Sequence, residues 1–309
     1  MEAGAEAAEE KKKEGRVVVE KVRGKSTVTR CFYCYPLKLI LPNKVAPSKF
    51  DAVWIYALTY GGGIVSGDLI SLVINVGDNC TAALTTQAST KVYKSVHSKC
   101  SEQILEATVG KNALLAVIPD PVTCFSTARY SQKQVFRVHS DSNLVVVDWI
   151  TSGRHESGEK WEFDLYMSTN HIYLEADQPL FLDSVLLDQN SCTSIAKRMQ
   201  EYQVMAMIIL LGPKLKDLQC QLQEEVKQMM SVHFRAPNAI RTHNVKSESP
   251  QRPTRAPMIA SCSPFGPQGI GMVVRIVAVS TESVYKFLRH HLAALDAFIG
   301  ASPYSQSGR

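Results

Sequence analysis

The chain has 309 residues, 45% of them hydrophobic and 20% charged, with a formal net charge of +5. That composition is a globular protein's and excludes a disordered, low-complexity chain. The charge forms no basic stripe of the kind nucleic acid requires, the longest apolar run ("VMAMIILL") is far short of a membrane span, and the opening "MEAGAEAAEEKKKEG" lacks the apolar core of an export signal.

Residues 1–16 read as a disordered tail, too poor in apolar side chains to pack. From Val17 onward, short alternating segments are separated by Gly, Pro, Asn and Asp, beginning with "RVVVEKV" and "STVTRCFYCYPLKLIL". Within the second, Cys31 and Cys34 have C-x-x-C spacing but no second pair and no histidine pair to complete four ligands. Residues three apart on a strand also point to opposite faces. The eight cysteines are therefore expected as reduced, buried thiols of a cytoplasmic protein.

"YGGGIVSGD" (Tyr60–Asp68) places Gly61, Gly62, Gly63 and Gly67 between two strand patterns, "DAVWIYALTY" and "LISLVINV". A phosphate loop needs a lysine and a hydroxyl after its last glycine and a helix beyond. Here Asp68 follows Gly67, and the next segment alternates with strand period. The glycines are accordingly read as a turn, which needs positive φ or close backbone approach. "LTTQASTKVYKS" then concentrates polar groups at Thr85, Thr86, Gln87, Ser89, Thr90, Lys91 and Tyr93.

"NALLAVIP", "QKQVFRVH", "NLVVVDWI", "KWEFDLYMS" and "HIYLEA" continue the strand texture, giving a mainly β body: barrel, sandwich or stacked-strand array. No repeat is strong enough to count turns of a solenoid. "VDWITSGRHESGEKWEF" carries Asp148, Arg154, His155, Glu156, Glu159 and Trp161, yet the chain has no G-x-S-x-G and no H-E-x-x-H. Asp68 and Asp148 are the carboxylates a hydrolase would use, and spacing alone does not bring them together. Arg154 and Glu159, flanking a Gly-containing turn, equally suit an ion pair. The eight histidines are dispersed, and only His290 and His291 adjoin.

After Asp188 the texture changes. "CTSIAKRMQEY" is helical, "VMAMIILLG" a buried strand, and "KLKDLQCQLQEEVKQMMSVHF" an amphipathic helix. Residues 236–257 form a Pro/Arg-rich stretch expected as a mobile loop. "GIGMVVRIVAV" is a last strand, and a final helix runs from Ser280 to Gly300 with 301–309 as a flexible tail. Its apolar stripe includes Phe287, Leu288 and Leu292, which either face the core or meet a partner.

Taken together and in order, "YGGGIVSGD", "LTTQASTKVYKS", "IPDPVTCFSTARYSQ" and "SGRHESGEKWEF" resemble the urease accessory protein D family, called UreD or UreH, over about 17–298. Matching motif positions are Gly61, Gly62, Gly63, Gly67, Gln87, Lys91, Tyr93, Asp120, Arg154 and Glu159. The acidic start and the 236–257 stretch resemble plant-like extensions.

The resemblance implies one domain over 17–300, a helical array of stacked β-strands with two or three α-helices toward the C-terminal half. It implies a non-enzymatic, cytoplasmic scaffold with no nucleic-acid or membrane partner and no tightly bound cofactor. The scaffold would bind UreF directly and the GTPase UreG through it, dock on apo-urease, and pass Ni²⁺ in transit through an internal tunnel. Weak oxygen donors in series suit such a cargo, and Asp68, Thr85, Thr86, Asp148 and Asp183 are residues of that type. Phe287, Leu288 and Leu292 are the candidates for partner contact.

Overall fold

The computed structural model describes residues 14–42, 50–234 and 256–304. Two sheets face each other across an apolar interior, and a layer of helices covers the outer face of one of them.

The first sheet has seven strands: β1 (Gly15–Val22), β2 (Lys25–Phe32), β5 (Leu69–Val76), β8 (Ser101–Val109), β11 (Arg129–Val138), β13 (Leu165–Leu174) and β14 (Gln178–Asp188), ordered β14-β13-β11-β8-β5-β1-β2. Its central five strands are parallel, with an antiparallel strand at each end. The second sheet has ten strands. Eight run in the order β16-β17-β15-β12-β9-β6-β4-β3, namely Met258–Phe265, Gly271–Ala278, Val204–Leu211, Asn143–Thr151, Leu114–Val117, Thr81–Thr86, Ala52–Thr59 and Leu37–Ile40. The short β7 (Thr90–Val92) and β10 (Val122–Cys124) join at β12. The chain passes from one sheet to the other and back, β5-β6-β7, β8-β9-β10, β11-β12, each coil lying parallel on the one before. This is the stacked-strand array that the family resemblance implied.

Coil stacking leaves a faint sequence trace. "GDN" (77–79) and "GKN" (110–112) sit at equivalent corners, where Asn79 and Asn112 both take positive φ, which Asn tolerates better than most residues. Asn112 Nδ2 donates to Asn79 Oδ1 at 2.8 Å across 33 residues of sequence. A Gly-x-Asn shared by two corners is too little to register as a repeat.

Burial explains the two strand textures. β9 and β12 are buried at every position, because one face meets the interior and the other meets helices; they read as continuous apolar runs. β11 and β13 have a solvent face and therefore alternate. The helix layer comprises α2 (Lys216–Phe234), α3 (Thr281–His291) and the short α4 (Asp296–Ile299), whereas the short α1 (Ile195–Met199) packs on the inter-sheet core. Leu215, Leu218, Leu222 and Val226 from the α2 region pack with Val284, Phe287, Leu288, Leu292, Leu295 and Ile299 against the outward side of β12, β15 and β17.

Several expected boundaries shift. Gly15 already lies in β1, so the tail expected over 1–16 is ordered from its last residues. Residues 256–257 are tied down as well, Val279 N donating to Pro257 O at 3.0 Å. Tyr304 Oη donates to Pro119 O at 2.9 Å, so 301–304 is packed rather than a free tail. The rest of 1–16, 236–257 and 301–309 lies outside the described residues. The final helix is interrupted at Leu292 before a 3₁₀ turn and α4, which Gly300 ends in the left-handed conformation. β16 was not expected; Pro264 sits in it because an edge strand need not donate every N–H. Of the described cysteines only Cys80 and Cys124 are buried, Cys31, Cys192 and Cys220 being exposed.

Candidate functional site

The interior is not uniformly apolar. On the inward face of β11 and β13, Gln132, Gln134, Ser168 and Asn170 are buried between apolar neighbours of the same parity. Asp148, on the inward side of β12 opposite them, is the acceptor that satisfies this cluster. Gln132 Nε2 donates to Oδ1 at 2.6 Å, while Ser168 Oγ and Asn170 Nδ2 donate to Oδ2 at 2.5 and 2.7 Å. Burial pushes the Asp148 carboxyl above its usual range, against these three bonds, which favour the ionised form; the Asp183 charge adds to the rise.

Beside this cluster lies a cavity of 270 Å³ between β12, β13, β14, β15 and β17, lined by Asp148, Ser168, Asp183 and Arg275 together with apolar side chains. Arg275 Nη2 donates to Asp183 Oδ1 at 2.8 Å, and Asp183 Oδ2 is buried without a hydrogen-bond partner among the described residues. Half-exposed Arg275 and exposed Ile259 mark the solvent side of the cavity, at the β16 edge of the second sheet.

A line of polar groups leads inward from that cavity. Tyr130 Oη, fully buried, lies 3.3 Å from Gln132 Oε1 and 3.1 Å from Gln103 Oε1. Gln103 in turn lines a second cavity of 220 Å³ beneath the glycine loop and the Thr86–Lys91 segment. A continuous series, Gln103–Tyr130–Gln132–Asp148, therefore connects two cavities through the core. Asp148 and Asp183 were singled out from the sequence; Gln103, Tyr130, Gln132, Ser168, Asn170 and Arg275 were not. The available signal was parity: in "RYSQKQVF" and "LYMSTNHI", Tyr130, Gln132, Ser168 and Asn170 fall in phase with Phe136 and Ile172.

The remaining candidates have structural occupations. Asp68 Oδ2 accepts from Val65 N at 2.8 Å, closing its own turn, and lines neither of these cavities. The proposed Asp68/Asp148 carboxylate pair is thus not assembled: one carboxylate caps a surface turn and the other is enclosed. Gly63 is where the glycine loop meets β7, since a Cβ there would stand 2.7 Å from the Tyr93 ring and 2.8 Å from Lys91 O. Gly61, Gly62 and Gly67 have positive φ. Thr85 Oγ1 donates to Ile118 O at 2.9 Å, and Thr86 Oγ1 accepts from Asp120 N at 2.8 Å. With exposed Gln87 they line a larger groove of 1010 Å³ that reaches Tyr285 and Tyr304. Asp120 Oδ1 accepts from Tyr285 Oη at 2.7 Å.

Arg154 and Glu159 form the ion pair expected across their turn, with Arg154 Nε 3.1 Å from Glu159 Oε2 and the guanidinium over the Phe125 ring at 4.2 Å. Phe287, Leu288 and Leu292 are buried against the sheet, so the partner-contact expectation for them is corrected: that stripe is covered by the chain itself. His290 and His291, adjacent on α3, nevertheless converge, both lying close to Glu225 of α2. No helix among the described residues is long and apolar enough to cross a membrane.

Comparison with known proteins decides the family. The pattern described as UreD urease accessory protein matches residues 11–307. The chain belongs to the urease accessory protein D family. It is 66% identical over 307 residues to urease accessory protein D of Oryza sativa subsp. indica, covering 99% of this chain and 100% of the relative. It is 62% identical to urease accessory protein D of Arabidopsis thaliana, covering 94% and 99%. At greater distance it is 35% identical to urease accessory protein UreD of Sorangium cellulosum (strain So ce56), covering 94% and 83%. Members of the urease accessory protein D family are maturation factors for urease rather than enzymes.

Proposed function

We propose that this chain is the scaffold of urease maturation that binds UreF directly, reaches the GTPase UreG through it, docks on apo-urease, and carries nickel through its interior in the cytoplasm. The observation that carries the nickel route is the polar series from Gln103 to Asp148 joining the two cavities. A buried polar line in an otherwise apolar interior costs stability unless every member is satisfied, and this one is arranged around a carboxylate. Asp148 and Asp183 supply anionic oxygen, and Gln132, Ser168 and Asn170 supply neutral oxygen. Such donors bind a borderline cation weakly enough to release it, whereas clustered imidazole or thiolate would retain it. Asp183, with one oxygen unpartnered among the described residues beside the cavity, is the receiving carboxylate, and Asp148 is the inner one.

The test is nickel content. Asp148→Asn and Asp183→Asn chains are co-expressed with UreF, UreG and apo-urease, complex formation is checked by pull-down, and nickel in the purified urease is measured. Normal assembly with several-fold less nickel in both variants is expected, with near-normal nickel for Asp68→Asn. Full nickel loading with both interior variants would sink the route.

A further inference from the structure

On the opposite side of the second sheet from the cavity, α2 and α3 bring together one group of three potential metal ligands among the described residues: Glu225, His290 and His291. We propose that these three residues form a surface site for a borderline divalent transition-metal ion, of the Ni²⁺ or Zn²⁺ class. The proposal is independent of the interior route.

The geometry is close to what such an ion requires. His290 Nε2 lies 3.2 Å and His291 Nδ1 lies 3.1 Å from the same oxygen, Glu225 Oε2, and the three ligating atoms all fall within 4.8 Å of one another. Donors held about 2.0–2.2 Å from a shared ion stand roughly 3–4 Å apart, so small side-chain rotations complete the site. The ion would take the place of the direct contacts between the two imidazole nitrogens and the carboxylate oxygen.

The surroundings hold the ligands in place. Gln221 Nε2 donates to Glu225 Oε1 at 2.9 Å, which fixes the carboxylate and leaves Oε2 to the histidines. His291 packs on Phe287 with ring centroids 4.0 Å apart, and the two histidine rings meet edge to face at 4.8 Å. Outer contacts of this kind orient ligands and are a usual part of metal sites. Two imidazoles and one carboxylate suit nickel, zinc or cobalt, whereas magnesium and calcium take oxygen donors. Three protein ligands leave a coordination position for water or a partner's side chain. The site borders the apolar seam through His291 on Phe287, so the ion would clamp α2 to α3 at the edge of their packing.

Calorimetric titration of the full chain with Ni²⁺ and separately Zn²⁺, with Mg²⁺ as control, tests this. Saturable binding of one Ni²⁺ or Zn²⁺ per chain is expected, with a rise in Tm and no response to Mg²⁺. His290→Ala, at a well-exposed position that leaves the fold unaffected, should weaken the binding by roughly tenfold or more, and Glu225→Ala should do the same. A Co²⁺-loaded sample should show ligand-field bands without thiolate-to-metal charge transfer. No saturable binding, binding unchanged in both variants, or a thiolate signature would overturn the proposal, the last by moving the ion to cysteine.

Discussion

Arg275 of β17 and Asp183 of β14 form a hydrogen-bonded ion pair at 2.8 Å that bridges the two sheets beside the interior cavity. The Arg275 side chain is 48% exposed, so water screens the pair and its worth as a fastener is small. A double-mutant cycle with Asp183→Asn and Arg275→Met, followed by denaturant unfolding, should give a coupling energy below about 1 kcal/mol. A coupling of several kcal/mol would show instead that the pair is a buried brace.

Two buried acidic groups, Glu159 and Asp148, should respond to pH with opposite signs. The Arg154 guanidinium holds the Glu159 carboxyl below its usual range, in spite of burial. A depressed folded-state value stabilises above the unfolded pKa of about 4.3, and that stabilisation is lost as pH falls through the folded value. Glu159→Gln should therefore lower Tm at pH 7, with the deficit shrinking toward zero below about pH 4.

Burial raises the Asp148 carboxyl instead. Its contribution is fully present below the unfolded value of about 3.9 and declines as pH rises through the folded value. The Tm difference between Asp148→Asn and the unsubstituted chain should consequently move in favour of the variant as pH is raised from about 4 to 8. Parallel pH profiles for the two chains would show that Asp148 is not perturbed by its surroundings.

Leu288 of α3 is fully buried against the second sheet, and Leu288→Ala should cost about 2–5 kcal/mol. Binding to UreF, the partner proposed above, should fall only as far as the folded fraction does. A variant with unchanged stability and lost binding would return this face of α3 to the surface.

Gly63→Ala in the glycine loop should be more damaging than Gly24→Ala in the turn between β1 and β2. The first forces a Cβ to within 2.8 Å of both the Tyr93 ring and a backbone carbonyl, whereas the second meets nothing within 4 Å and is penalised only by its positive φ. Overpacking costs about 1–3 kcal/mol and a left-handed alanine about 1–2 kcal/mol, so the order should be visible in chemical denaturation. The same loop should give no heat on titration with GTP, since no helix follows it and Asp68 occupies its end.

The sequence alone determined the strand-rich body, the buried strand β15, the amphipathic helices α2 and α3 and the Ser280 cap, because each depends on local periodicity or a local hydrogen bond. It also determined that the glycine loop is a turn, since a missing lysine and a following strand are local facts. The motif order carried the family. Tertiary structure decided the rest. Which face of α3 is covered depends on β12, β15 and β17, remote in sequence. Parity shows that Gln132, Ser168 and Asn170 point inward, but that they meet Asp148 requires three strands from two sheets to be placed against one another. His290 and His291, neighbours aimed about 100° apart on an ideal helix, converge because α3 ends there and Glu225 reaches across from α2. A sequence states what each residue prefers of its neighbours along the chain; the partners of a buried polar group are fixed by packing, which no local pattern encodes.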